Sequence, residues 1–257
     1  MYREELAVAH IAAEAAGEIL SRRLGDSHHI MKKGDIDLVT EADLEAEKAI
    51  LEIIGNSFPR DNILSEEAGT YDNASERTWL IDPLDGTTNF AHRFPFFAVS
   101  IALEIGGETV LGVVYSPYLD EFFEATKGQG AYLNRKPIQV SGTTTLGESL
   151  MATGFPYDIH ERPEGVMKLL KEMIVRVQGV RRPGAASLDL CYVAAGRLDG
   201  FWEEGLKPWD TAAGAIIVRE ARGKLSTFKG EKYTPYMKSI VAANPVIHGA
   251  MIGVLKT

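Results

Sequence analysis

The stretch from Phe97 to Tyr115 constrains the fold more than any other part of the chain. Phe97-Ala98-Val99-Ser100-Ile101-Ala102-Leu103-Glu104-Ile105 alternates large side chains with small or polar ones, as a strand in a sheet with two unlike faces does. Gly106-Gly107 supplies a tight turn open to positive φ, and Glu108 to Tyr115 returns as the partner strand. Thr78 to Asp82, Asp120 to Thr126 and Gly130 to Val140 read as further strands, so this region is expected to form an antiparallel sheet. Two helices precede it. Residues 4 to 24 set Leu6, Ala9, Ala13, Leu20 and Leu24 near one face. Thr40 is expected to cap the second helix, with Glu41 and Asp43 in an acidic first turn and Leu44, Leu51 and Ile54 as its buried stripe. Phe58-Pro59 lies beyond its end.

The small polar run Ser141-Gly142-Thr143-Thr144-Thr145 marks a boundary. Beyond it, helical patterns over 163–173, 186–196 and 209–221 alternate with strand patterns over 176–181, 199–203, 224–228 and 239–243. That alternation is an α/β signature. The expectation is an α+β subdomain over 1–142 packed on an α/β subdomain over 143–257, with a site at their junction.

The chain's 257 residues are 45% hydrophobic and 25% charged, enough for a substantial core without staples. Its one cysteine, Cys191, rules out a disulfide framework and reads as a small buried apolar residue. No apolar run reaches membrane-spanning length. The start, Met1-Tyr2-Arg3-Glu4-Glu5, has no apolar signal core, so the expected compartment is the cytoplasm. With 27 basic and 36 acidic residues the net charge is -9, which repels nucleic acid and anionic lipid at long range. An anionic substrate would then need positive charge from elsewhere, and a divalent cation is the usual source.

The densest run of chemical side chains is Asp82-Pro83-Leu84-Asp85-Gly86-Thr87-Thr88-Asn89-Phe90. A strand delivers Asp82 to its carboxyl end, Pro83 turns the chain, and Asp85 can point back toward Asp82. Gly86 lets backbone approach a ligand, and Thr87-Thr88 can open a helix whose free N–H groups face an anion. Two bare charges about 5 Å apart repel by about 3 kcal/mol at an effective dielectric of about 20, so a cation between them relieves the strain. Hard oxygen ligands favour Mg²⁺. The alternative is a capped turn with solvated carboxylates. Ser65-Glu66-Glu67 and Pro208-Trp209-Asp210-Thr211-Ala212-Ala213-Gly214 add acids; taken alone, the first reads as solvated surface and Asp210 as a helix cap.

Asp82 to Phe90, closed by His92, resembles the D-P-[IL]-D-G-T-x-N-F-x-H signature of the inositol monophosphatase family. Trp209-Asp210-Thr211-Ala212-Ala213-Gly214 resembles that family's W-D-x-A-A-G. Leu38-Val39-Thr40-Glu41-Ala42-Asp43, Ser65-Glu66-Glu67 and Pro183-Gly184-Ala185-Ala186-Ser187-Leu188-Asp189-Leu190 match in order and spacing, so the likeness runs from about Lys32 to Gly223. It implies a layered α-β-α-β-α sandwich of the sugar-phosphatase type. It also implies Mg²⁺, two or three ions per site. Glu66, Asp82 and the Leu84 carbonyl match the first metal position; Asp82, Asp85 and Asp210 match the second; Asp43 falls beside a third. Glu66 and Thr87 match the pair that orients and activates the attacking water. Gly86 and Thr87 would supply N–H groups to the phosphate, Glu203 would receive substrate hydroxyls with Ala186 in the same pocket, and Asp85, Arg182, Gly184 and Asp210 would also bind the substrate. Lys32 matches a segment that touches the site.

The resemblance therefore implies hydrolysis of a small sugar or polyol phosphate, typically inositol 1-phosphate, by in-line attack of water without a covalent enzyme intermediate. Fructose 1,6-bisphosphate is the alternative substrate, alone or alongside. The likeness further implies a homodimer, inhibition by Li⁺, and neither nucleic acid nor membrane as partner. A different class stays open: a non-catalytic regulator that keeps the fold and binds a protein. The chain departs from the family at Glu220-Ala221-Arg222-Gly223, commonly Glu-Ala-Gly-Gly, and at Asn134-Arg135, commonly Asn-Gly. Thr153-Gly154-Phe155-Pro156-Tyr157-Asp158 is closer to bacterial than to animal members.

Other signals have simpler readings. Asp35-Ile36-Asp37-Leu38-Val39 fits the pattern of aspartyl-nucleophile phosphatases but follows a polar segment instead of an apolar strand. His28-His29 lacks spaced metal-ligand partners. His92 reads as a structural hydrogen bonder, Trp202 and Trp209 as packing residues, and Gly128-Gln129-Gly130 lacks the third glycine of a dinucleotide loop.

Overall fold

The computed structural model describes residues 2–24, 31–32, 38–156, 158–161 and 163–256, with 31–32 and 38–39 described by backbone alone. Helix α1 (Arg3–Arg23) carries Glu4 and Glu5 in its first turn and Arg22 and Arg23 in its last, each complementing the helix dipole. The short strands β1 (Met31–Lys32) and β2 (Leu38–Val39) pair antiparallel. The Lys32 side chain, His28-His29 and Asp35-Ile36-Asp37 lie outside the described residues.

Helix α2 (Glu41–Ser57) starts as the sequence demands: Thr40 Oγ1 accepts from the Ala42 N–H at 3.2 Å and the Thr40 N–H donates to Asp43 Oδ2 at 2.9 Å. Its buried stripe differs from the expected one. Leu44 is 43% exposed and Leu51 half-buried, while Ala42, Asp43, Ala46, Glu47, Ile50 and Ile54 face inward. The inward face of α1 is itself Ala9, Ala12, Ala13 and Ala16, so small residues let the two helices pack closely and rotate the larger leucines outward.

Strands β3 (Asn62–Ser65), β4 (Gly69–Tyr71) and β5 (Arg77–Asp85) follow, then helix α3 (Thr87–Ala91). Strands β6 (Ala98–Ile105), β7 (Glu108–Ser116), β8 (Glu121–Thr126), β9 (Ala131–Leu133) and β10 (Lys136–Ile138) complete an eight-stranded sheet in the order β10-β9-β8-β7-β6-β5-β3-β4. All its pairings are antiparallel except β3 on β5. β6 is buried on both faces through Glu104, not on one, because helices cover each side of the sheet. Gly106 and Gly107, at φ 59 and 77, form the β6–β7 turn.

After a 3₁₀ turn (Leu146–Glu148) come β11 (Leu150–Thr153), α4 (Pro163–Ile174), β12 (Gly179–Arg181), α5 (Ala186–Ala194), β13 (Gly200–Glu204), α6 (Pro208–Glu220), β14 (Lys224–Ser226), β15 (Ser239–Ala243) and α7 (Pro245–Leu255). The second sheet runs β12-β11-β13-β15-β14, with β11 parallel to both neighbours and the rest antiparallel. Three apolar cores join the layers. One lies between α1–α2 and the large sheet, one holds α5 and α6 between the two sheets, and one sits between the small sheet and α4–α7. This is the layered α-β-α-β-α arrangement. Among the described residues no helix is long and apolar enough to cross a membrane.

Candidate active site

A cavity of about 530 Å³ opens where β5, α3, the 182–186 segment, β13 and the start of α6 meet. Glu66, Asp82, Leu84, Asp85 and Asp210 all line it, as do Gly86, Thr87, Arg182, Gly184, Ala186 and Glu203. Residues spread over more than half the chain thus share one concave surface. Lining residues without a sequence signature include Ile159, His160, Glu204 and Lys207, and Phe155 lines it too. Trp209 also lines the cavity, whereas Trp202 packs in the core. His92 is exposed at the end of α3 and its ring makes no hydrogen bond among the described residues.

Asp82, Asp85 and Asp210 are aimed by backbone N–H groups. The β5–β6 register shifts between Asp82 and Asp85, and Pro83 within that irregularity has no N–H to lose. Asp82 Oδ1 accepts from the Leu84 N–H at 3.0 Å. Asp85 Oδ2 accepts from the Ser187 N–H at 2.7 Å and its hydroxyl at 2.5 Å, tying β5 to α5. Asp210, in the first turn of α6, accepts from the Lys207 N–H at 2.7 Å, so it caps a helix and lines the cavity at once. Ser100 Oγ donates to the Trp209 carbonyl at 3.0 Å and fastens that helix end to β6.

The backbone between them is close-packed. Gly86, at φ 93, has the Phe96 carbonyl 3.0 Å and the Gly184 carbonyl 3.3 Å from where a Cβ would stand. A side chain there would sit on a strained backbone and press against both carbonyls. The Asn89 amide nitrogen donates to the carbonyls of Phe96 at 2.7 Å and Pro183 at 2.8 Å, joining the α3 loop to the 183–184 loop. At Gly154 a Cβ would collide with the Glu203 carboxyl, so glycine leaves room for that acid to face the cavity.

Thr87 Oγ1 lies 3.0 Å from the Leu84 carbonyl and 3.1 Å from Asp43 Oδ1. Asp43 is 1% exposed and stands behind Thr87, with Oδ2 already taken by the N–H and hydroxyl of Thr40. Its carboxyl is shifted up by burial, against the pull of its hydrogen bonds to Thr40 and Thr87.

Burial dominates the electrostatics. Asp82, 2% exposed, is held well above the ordinary carboxylate range by desolvation and by the charges of Glu66, Asp85 and Asp210. Asp210 is raised by desolvation, against the Lys207 N–H, with Asp85 and Glu66 adding to the rise. Desolvation lifts Asp85 to about 6 despite the Ser187 hydrogen bonds. Glu203 rises to about 8, chiefly by desolvation and then by Asp210, with Arg182 opposing. Asp189, behind it in α5, is raised by burial and by Glu203. Arg182, stacked on Phe155 at 5.4 Å, does not offset this field. Such a set of hard oxygen donors suits a divalent cation, which replaces the protons the acids would otherwise keep. Among the described residues no three His, Cys, Asp or Glu side chains already form a closed ligand cage. The acids share a cavity and a field, and Asp82, Asp85 and Asp210 are each held by a backbone N–H donor.

The sequence profile of the inositol monophosphatase family matches residues 1–257. The chain is 46% identical over 245 residues to an inositol-1-monophosphatase of Synechocystis sp., a match covering 95% of this chain and 85% of that protein. It is 42% identical over 250 residues to Nus factor SuhB of Escherichia coli, covering 96% and 94% of the two chains. The crystal structure of extragenic suppressor protein suhB from Bartonella henselae superposes with a TM-score of 0.93 at 40% identity, over 99% of both chains.

Proposed function

Since the chain belongs to the inositol monophosphatase family, we propose that its cavity hydrolyses the phosphate monoester of a small polyol or sugar, myo-inositol 1-phosphate foremost, with Mg²⁺ held by Glu66, Asp82, the Leu84 carbonyl, Asp85 and Asp210. The observation that carries this reading is the convergence of those acids on one cavity, where desolvation and mutual repulsion call for cations. Bound magnesium supplies positive potential to the phosphoryl oxygens, eases deprotonation of water and steadies the departing oxygen.

The protein's own groups do the rest. Glu66 accepts a proton from the attacking water, which the Thr87 hydroxyl orients. Asp43 holds Thr87 from behind. Gly86 and Thr87 present backbone to the phosphate, and Asn89 keeps the 183–184 loop against them. The water oxygen bonds to phosphorus as the ester P–O bond breaks, and the leaving alkoxide takes a proton from solvent. Glu203 and the Ala186 edge receive substrate hydroxyls; a carboxyl pushed up to about 8 can donate as well as accept.

Arg182, Lys207 and His160 line the same cavity and favour fructose 1,6-bisphosphate as a second substrate, its other phosphate meeting the Arg182 and Lys207 charges and the His160 ring. A homodimer and inhibition by Li⁺ belong to the same proposal. The relatives that bear the name Nus factor SuhB favour, from another class, a regulator that binds protein partners through this fold. Phosphate release from inositol 1-phosphate, fructose 1,6-bisphosphate and other monoesters, with Mg²⁺ and with EDTA, separates these readings. Release that needs magnesium and is fastest on inositol 1-phosphate supports the first. Equal rates on the bisphosphate support the second, and no metal-dependent release from any ester supports the regulator.

A further inference from the structure

We infer that Glu47 is a positioning residue: from α2 it clamps the turn that carries Glu66, so that Glu66 is aimed before any cation arrives. This rests on the reading of the cavity as a magnesium site. Glu47 is 5% exposed. Its Oε1 accepts from the Ser65 hydroxyl, from the Glu67 N–H at 3.0 Å and from the Ala68 N–H at 3.0 Å. These donors bracket Glu66 on both sides. On the opposite side the Glu66 N–H donates to the Ile81 carbonyl at 3.2 Å, extending the β3–β5 ladder by one residue. The backbone of Glu66 is therefore held between β5 and α2.

On the inward face of α2, Glu47 stands among Ala42, Asp43, Ala46, Ile50 and Ile54. Asp43 stands one turn earlier on the same face and meets Thr87. One polar stripe of α2 thus sets two cavity groups, Thr87 through Asp43 and Glu66 through Glu47.

Two variants separate reach from charge. Glu47→Gln keeps an oxygen at the same distance without the charge; Glu47→Asp keeps the charge and loses the reach. Magnesium binding to the metal-free full chain is measured by calorimetry, with circular dichroism to check the fold and hydrogen exchange at Glu67 and Ala68 to read the clamp. Glu47→Asp is expected to weaken magnesium binding about tenfold, the usual scale for a group that orients a ligand, and to speed exchange at both amides. It lowers kcat at subsaturating magnesium more than it alters KM for the ester. Glu47→Gln is expected to stay within about threefold of the parent in affinity, on the same scale. If Glu47→Gln weakens binding as much as Glu47→Asp, or only Glu47→Gln weakens it, charge and not reach matters and the inference is overturned. It is also overturned if neither variant changes affinity. Where Glu47→Asp does not fold, Ser65→Ala removes one of the three donors and must weaken binding measurably. A parent chain that binds no magnesium sinks the metal reading itself, and this inference with it.

Discussion

Thr87 Oγ1 stands 3.1 Å from Asp43 Oδ1 across 44 residues of sequence. Asp43 is thus a support for the hydroxyl, with its other oxygen committed to Thr40. Thr87→Val keeps the shape and removes the hydroxyl, and is expected to lower kcat by about 10² to 10⁴, the range for lost proton handling. Thr87→Ser keeps the contact and most of the rate. Asp43→Asn is expected to lower kcat by about 10 to 100. Rates at saturating magnesium on folded variants check all three, and a Thr87→Val enzyme with parental kcat removes Thr87 from the mechanism.

Asp82 is 2% exposed amid like charges. Asp82→Asn keeps an oxygen for the Leu84 N–H and removes a carboxyl whose ionised form burial and the neighbouring acids penalise. The metal-free variant is expected to be more stable than the metal-free parent by about 1 to 3 kcal/mol, the scale of one close repulsive pair. That corresponds to a melting temperature higher by about 2 to 4 °C per kcal/mol. The same variant has no metal-dependent turnover. A destabilised Asp82→Asn protein contradicts the electrostatic account of the cavity.

The acids and His248 give opposite pH slopes. Asp85 at about 6 and Glu203 at about 8 sit above their unfolded values, so the folded metal-free chain holds more protons than the unfolded one across that window. Their contribution is full below about pH 4 and is lost as pH rises through about 8. Magnesium is therefore expected to raise the melting temperature more at pH 8 than at pH 5.5. Equal shifts at both pH values would exclude this linkage.

Burial lowers His248 to about 4; its Nε2 is 2.9 Å from Ser226 Oγ, and Nδ1 has no partner among the described residues. Here the unfolded state binds the extra proton, so stability is full above about pH 6.5 and falls as pH drops through about 4. Denaturation midpoints of the parent and His248→Gln between pH 4 and 7 are expected to converge at the acid end.

Arg222 sits at φ 69, where the family commonly has glycine. A non-glycine residue in that region costs about 1 to 2 kcal/mol, and glycine returns part of the gain as unfolded-state entropy. Arg222→Gly is expected to stabilise the chain by about 0.5 to 1 kcal/mol, on the same two terms. Urea midpoints read it, and a loss of stability would mean that the Arg222 side chain contributes more than its backbone costs.

The Asp82–Phe90 run is legible because its chemistry is local: strand, proline, acid, glycine and helix start follow one another within nine residues. The supports of the site are not. Glu47 looks like a solvated helix acid until Ser65 is brought to it, and Asp43, which the family likeness placed beside a metal, shows its contact with Thr87 only in the fold. The stripe on α2 was misleading because hydropathy ranks leucine above alanine, whereas close helix contact favours alanine. Helix α7 contains Gly249 and Gly253 and opens on Pro245, residues that usually punctuate helices; Asn244 starts it by accepting from Val246 and Ile247, both at 3.0 Å. His160 and Lys207 reach the cavity from segments with no motif of their own.

Helix α6 is fastened to the large sheet at both ends. Ser100 holds its Trp209 carbonyl, and at the far end the Glu220 carboxylate takes the N–H groups of Gly128 and Gly130, each at 2.9 Å. The helix is therefore no interchangeable cassette of the later half of the chain. Gene shuffling between this protein and a relative must inherit Ser100, the 128–130 turn and the whole of α6 from one parent, because a graft that splits them frees the rod on which Asp210 is mounted.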